Sequence, residues 1–108
     1  MNPDRIAFFE DYLKKKPGDD FAQYALAMEY ARVERYDDAF ATYEALLTRN
    51  LVYSAGHFQY ALLLRKQGRT EDAKARLQLG ITAATRTNDA HARREMQGVL
   101  DELEADDS

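Results

Sequence analysis

The chain has 108 residues, a formal net charge of −4 and no cysteine, and 31% of its residues are charged. This length fits a single domain, and the acidic balance argues against a general nucleic-acid binder, which needs a basic excess. The lack of cysteine excludes disulfides, thiolate metal sites and a cysteine nucleophile, and it fits a reducing compartment.

The first two predicted helices are separated by a short break. Helix one has Asn2 as its N-cap, continues through apolar residues at helical spacing and ends at Pro17. Helix two is predicted from Asp20 to about Val33, capped by Asp19 or by Asp20 itself.

Four more helices follow in chain order. Helix three is predicted from near Asp37 to Arg49, and helix four from about Ser54 to Lys66. Thr70 is predicted to cap helix five, which continues through Ala84. After a polar break at Arg86–Asp89, a sixth helix is amphipathic, and the acidic end of the chain is expected to fray. The apolar stripe of helix six is Ala92, Met96, Val99, Leu100 and Leu103.

Residues 20–53 and residues 54–87 match in pattern. Ala27 corresponds to Ala61 and Ala39 to Ala73, and both pairs are 34 positions apart. Small residues at these positions allow two antiparallel helices to approach closely. Bulky residues take the remaining core positions: Leu26, Tyr30, Tyr43 and Leu46 in the first half, then Tyr60, Leu64, Leu77 and Ile81 in the second.

This period and these positions resemble the tetratricopeptide repeat family, whose unit is a helix–turn–helix of about 34 residues. The family signature has Trp, Leu-Gly and Tyr in its first helix, then Ala, an aromatic, Ala and Pro in its second. In this sequence Gln23 and His57 stand at the Trp position, and Leu51 and Thr85 stand at the Pro position.

The resemblance implies an all-α fold, a tetratricopeptide-repeat-like helix–turn–helix solenoid with two full repeats. We predict a single domain over residues 1–108. It would consist of an N-terminal helix in 1–19 that forms a half repeat, repeat one in 20–53, repeat two in 54–87, and a capping helix with a frayed acidic tail in 88–108. A capping helix is expected because the last hairpin of a repeat array otherwise leaves its apolar face in water.

No residue pattern indicates catalysis, so we expect no enzyme, no metal and no cofactor. His57 and His91 lack a second ligand at metal-binding spacing, and we interpret them as a packed and a solvated side chain. Adjacent carboxylates such as Asp37 and Asp38 point about 100° apart on a helix and do not converge. The chain also shows no signal segment and no long apolar run, so we predict a cytoplasmic protein with no membrane contact.

Helix two carries two apolar stripes, although a surface helix needs only one. Leu26, Tyr30 and Val33 form the core stripe, and a second stripe lies on the opposite side. In the repeat register this second stripe falls where the family lines its concave groove, and helix four repeats its spacing. The predicted partner-binding groove consists of Phe21, Tyr24, Met28, Arg32, Phe58, Leu62, Arg65 and Lys66.

We therefore expect a protein–protein interaction scaffold that binds a peptide or helix of a partner protein in its groove. The rim cations favour an acidic and apolar segment. Self-assembly is the alternative, because two full repeats are fewer than the roughly three usually needed for a stable stack. Coverage of the groove by helix one or by the C-terminal helix also remains open. The Lys/Asn clamp with which some family members hold chaperone tails is absent, since Tyr24, Met28 and Gln59 occupy those places.

Overall fold

A computed structural model describes residues 3–106 of the chain, and all six predicted helices are present within them. The predicted all-α fold class is confirmed. The predicted cap Asn2 and the last two residues of the acidic tail lie outside the described residues. The helices are α1 Pro3–Lys15, α2 Asp20–Arg32, α3 Tyr36–Arg49, α4 Ser54–Lys66, α5 Thr70–Arg86 and α6 Ala90–Asp106.

Contacts along the chain define two compact units, Met1–Asn50 and Leu51–Ser108. In the first unit, α2 packs against both α1 and α3. In the second unit, α5 packs against both α4 and α6, and α6 also contacts α4. Within the described residues, no helix is both long enough and apolar enough to span a bilayer.

The helix starts show one confirmed and one wrong prediction. Asp19 caps α2, because its Oδ1 accepts a hydrogen bond from the Ala22 N–H at 2.9 Å. Bonds from Ala22 and from the Tyr12 hydroxyl lower the pKa of the Asp19 carboxyl. Thr70 is not the cap of α5, since it is already helical and Arg69 occupies the cap position without a side-chain cap bond.

The turns that close the hairpins α2–α3 and α4–α5 share one backbone conformation. Glu34 has φ 65° and Gly68 has φ 77°, and these residues occupy equivalent positions of the 34-residue period. In both turns the next residue donates its N–H to a carbonyl of the last helical turn at 2.9 Å. The second turn uses glycine, which adopts positive φ without steric cost. The repeat period is therefore visible in the turns as well as in the helices.

The core of the first unit lies between the apolar sides of its three helices. Ala27 and Ala39 are completely buried (0% exposed), as expected for small residues at close helix approaches. Burial also raises the pKa of the Tyr43 phenol, because its ionised form would lose hydration. These helices bury the apolar faces that the sequence predicts. The larger buried side chains are Ile6, Leu26, Tyr30, Tyr43, Leu46 and Leu47.

Polar contacts join the start of α2 to the end of α3. Asp20 Oδ1 accepts from Arg49 Nε at 3.2 Å and also from an Arg49 terminal nitrogen, and Asp20 Oδ2 accepts from Asn50 Nδ2 at 2.7 Å. Bonds from Arg49 and Asn50 lower the pKa of the Asp20 carboxyl below its ordinary 3.8. The carboxylate that makes these bonds therefore persists in mildly acidic solution.

The core of the second unit includes a position where three helices meet. Gly80 of α5 lies so close to its neighbours that a Cβ there would be 2.4 Å from Met96 Sδ of α6 and 2.8 Å from His57 Cβ of α4. Met96 and His57 are themselves completely buried (0% exposed). Ile81, predicted as core, is only half-buried. The other large buried side chains are Tyr60, Leu63, Leu64, Leu77, Leu100 and Leu103.

Candidate partner-binding surface

The predicted groove residues of α2 lie on its outer side, opposite the core stripe. Phe21 is 67% exposed and Met28 is 38% exposed, whereas Tyr24 and Ala25 between them are half-buried. Spacings of three and four residues place Phe21, Tyr24 and Met28 on one face of the helix. The Phe21 and Tyr24 rings contact each other with centroids 6.4 Å apart. We call Phe21, Tyr24 and Met28 the α2 stripe.

A cavity of about 140 Å³ opens beside the α2 stripe, and α1 contributes to it. Its walls combine apolar and aromatic side chains with two charged ones, so an apolar group could enter it while a polar group stays at its edge. Burial raises the pKa of the Tyr24 phenol, because its ionised form would lose hydration. The lining residues are Arg5, Phe21, Tyr24, Ala25, Met28 and Glu29.

A buried acid at the edge of this cavity holds two arginines. Glu29 Oε1 accepts from Arg32 Nε at 3.1 Å and from an Arg32 terminal nitrogen at 2.7 Å. Glu29 Oε2 lies 3.4 Å from a terminal nitrogen of Arg5. The Glu29 side chain is only 9% exposed, against 57% for Arg5 and 42% for Arg32. We call these three residues the arginine cluster.

Sequence reasoning found Arg32 of this cluster and missed the other two members. The spacing of Glu29 and Arg32, three residues apart on a helix, was an available signal for a pair. Arg5 comes from a different helix, and no local pattern connects it with α2.

The predicted groove residues of α4 belong to the second unit and are less accessible. Phe58 and Leu62 are half-buried, whereas Arg65 and Lys66 are exposed. An Arg65 terminal nitrogen lies 3.4 Å from Glu102 Oε1 of α6. A carboxylate of α6 therefore offsets part of the positive charge at this end of α4. We call Phe58 and Leu62 the α4 stripe.

The two histidines have different surroundings. His57 Nε2 lies 2.8 Å from the Leu51 carbonyl oxygen, so this nitrogen donates, and Nδ1 can then accept from Arg76 at 3.5 Å. His91 is exposed and lies 3.3 Å from Glu95. The described part of the chain contains no group of three or more acidic, histidine or cysteine side chains arranged to hold a metal ion.

Comparison with known proteins gives matches among solved structures alone. No protein-family model matches the sequence, and no curated protein does so. A solution structure of a tetratricopeptide repeat domain protein from Salinibacter ruber is 27% identical, with a TM-score of 0.78 over 82% of this chain and 90% of that chain. A crystal structure of a tetratricopeptide repeat domain protein from the same organism is 26% identical, with a TM-score of 0.74 over 81% of this chain and 97% of that chain.

A third match supports the fold alone. A protein from Bordetella parapertussis is 24% identical, with a TM-score of 0.80 over 94% of this chain and 89% of that chain. Helical repeats of this kind commonly serve as protein–protein interaction modules. The helix hairpins repeat every 34 residues, and their turns repeat with the same period. Together with these structural neighbours, this identifies the chain as a tetratricopeptide-repeat-like protein.

Proposed function

We propose that this protein is a scaffold that binds a peptide or helix of a partner protein, with the α2 stripe as its main contact surface and the predicted groove residues of α4 as a further one. The observation that carries the proposal is the exposure of Phe21 and Met28 beside an open cavity on a helix that already buries its opposite side. Apolar surface in water is unfavourable by about 25 cal/mol per Å², so covering it with an apolar ligand releases free energy.

The charges around the α2 stripe fit the rim of a peptide-binding surface. A peptide binds by inserting a few apolar anchors, while charges at the rim mainly affect encounter and selectivity. Here the anchors would fill the cavity beside Tyr24, and Arg5 and Arg32 would stand at its rim.

A selection from a random peptide library displayed on phage tests this function. Peptides selected on the wild-type protein are expected to lose about tenfold or more in affinity for the double variant Phe21→Gln with Met28→Gln, because both anchoring contacts are removed. Both positions are exposed, and glutamine keeps a high helix propensity, so the thermal unfolding midpoint should change little.

Leu79→Gln is the matched control for this selection. Leu79 is 48% exposed on α5 and belongs to neither stripe, so the selected peptides should bind this variant as they bind the wild type. Equal binding to the wild type and to the double variant would place the peptide site elsewhere.

A second candidate function, self-association, is favoured by the outer face of α1. The 34-residue period aligns Phe9 and Tyr12 of α1 with Tyr43 and Leu46 of α3. The α3 pair is buried, but the α1 pair is only half-buried, and Phe8 next to it is 62% exposed. Phe8 contacts both Phe9 and Tyr12, with ring centroids 5.4 and 6.3 Å apart. A second copy could cover this aromatic face.

Sedimentation tests the second candidate. The exposed residues of α6 are charged, polar or small, so α6 offers no apolar surface to a second copy. Two copies would therefore associate through α1 of each and form a closed dimer that adds no further copies. The wild type should then show a weight-average mass that rises with concentration, and Phe8→Gln should remove that rise, whereas Leu79→Gln should not. A mass equal to one chain across the whole concentration series would exclude self-association through α1.

A further inference from the structure

We infer that the cavity beside the α2 stripe selects peptides in which a large apolar side chain is accompanied by a carboxylate side chain, and that Arg5 and Arg32 hold the carboxylate. This inference rests on the proposed function and specifies its ligand. It assigns binding of the ligand's carboxylate to the arginine cluster of the first unit, instead of to Arg65 and Lys66.

The cavity has the dimensions of one side chain. Its volume of about 140 Å³ is close to that of an engineered cavity of about 150 Å³ that accepts benzene. Phe21, Tyr24 and Met28 provide aromatic and thioether walls, which adapt to an aromatic or branched aliphatic group. One apolar anchor of the ligand is therefore expected to enter here.

The arginine cluster carries an excess of positive charge. Two guanidinium groups face one carboxylate, which leaves a net charge of +1 although the whole chain has a net charge of −4. Among the described residues, both arginines form their ion pair with Glu29. Each guanidinium has five N–H donors, and the contacts with Glu29 involve two nitrogens of Arg32 and one of Arg5. Donors remain for a carboxylate of the ligand.

Glu29 also positions the two arginines before any ligand binds. Its buried carboxylate is hydrogen-bonded by two nitrogens of Arg32 and lies 3.4 Å from a nitrogen of Arg5, so less side-chain freedom is lost when a ligand carboxylate binds. Arg65 differs, because its partner Glu102 is itself 70% exposed. A guanidinium held in place favours the bidentate geometry of a carboxylate.

The spacing on α2 predicts the spacing in the ligand. Arg32 lies four residues after Met28, which is about 6 Å along the helix axis. An extended peptide covers that distance in about two residues, and a helical peptide covers it in about four. The carboxylate is therefore expected two positions from the apolar anchor in an extended ligand, or three to four positions away in a helical one.

The test uses the same phage-displayed random peptide library, with the full chain as bait. Peptides selected on the wild type should be enriched in Asp or Glu at these spacings from an aromatic or branched aliphatic residue. For a synthetic selected peptide, replacing that Asp or Glu by its amide should weaken binding to the wild type by about tenfold, and high salt should reduce the difference.

Arg5→Gln is the informative variant, because it leaves the Arg32–Glu29 pair intact and Glu29 still has a partner. On this variant the tenfold difference between acidic and amide peptides should fall to about threefold or less. Arg94→Gln, at an exposed position of α6, should keep the full difference. Circular dichroism confirms that each variant is folded.

The outcomes separate the inference from the proposed function. Selected peptides without acid enrichment that still require Phe21 and Met28 would overturn the acid selectivity and leave the peptide-binding surface standing. Acid-enriched peptides that bind Arg5→Gln with the full tenfold difference would also overturn it. No enriched peptide at all, or peptides insensitive to Phe21→Gln with Met28→Gln, would reject the proposed function together with the inference.

Discussion

Met96→Ala is expected to lower the free energy of unfolding of the second unit by about 2–5 kcal/mol. Met96 is completely buried (0% exposed) on α6, and its sulfur lies against the backbone of α5 at Gly80. Truncation removes its dispersion contacts and leaves a cavity that close-packed helices fill only in part. Urea denaturation followed by circular dichroism measures the change.

Arg94→Ala is the control for this prediction. Arg94 is on the same helix and exposed, so its replacement should change stability by no more than about 0.5 kcal/mol. If Met96→Ala proved as mild as Arg94→Ala, α6 would be an appendage that the rest of the unit does not need. The buried side chains of α6 predict the opposite, since Leu100 and Leu103 are nearly as inaccessible, at 4% and 5% exposed.

Gly98→Ala is expected to stabilise the protein, whereas Gly80→Ala is expected to leave its stability unchanged or to lower it. Both residues are helical, and alanine improves helix propensity at each by about 1 kcal/mol. A Cβ at Gly98 meets nothing within 4 Å, so this variant should be more stable than the wild type. A Cβ at Gly80 would overlap with Met96 Sδ and with His57 Cβ. Met96 can adjust its flexible chain, but a Cβ moves only with its helix.

The comparison of these two variants isolates the cost of overpacking, because the propensity gain is common to both. We expect Gly80→Ala to be less stable than Gly98→Ala by about 1–3 kcal/mol. Equal stability of the two variants in thermal and urea unfolding would show that α4, α5 and α6 separate easily at this position. That result would contradict the close approach seen at Gly80.

Much of the fold follows from local patterns that a sequence displays directly. Apolar residues at helical spacing predicted all six helices, and Ser54–Lys66 was predicted with both ends correct. The ends of helices depend on small energy differences and are harder to predict. Thr70 was assigned as the cap of α5 because of its residue type, but Thr70 is already the first helical residue. The 34-residue period also anticipated the buried alanines Ala27 and Ala39, since small residues at equivalent positions indicate close helix approaches.

The candidate site was partly visible in the same way. Phe21, Tyr24 and Met28 share one face of one helix, so helical periodicity alone groups them. Their division into two exposed residues and one half-buried residue depends on what lies beside α2, and periodicity contains no information about that.

The sequence by itself determined the helices, their apolar faces and the repeat, because these depend on residues within a few turns of one another. Only the tertiary structure decided which side chains from different helices meet. It brought Arg5 of α1 to Glu29 of α2, and it placed Met96 and His57 against Gly80. Such contacts depend on the crossing angle and separation of packed helices, which result from the packing of many side chains together. No periodic pattern in the sequence encodes them.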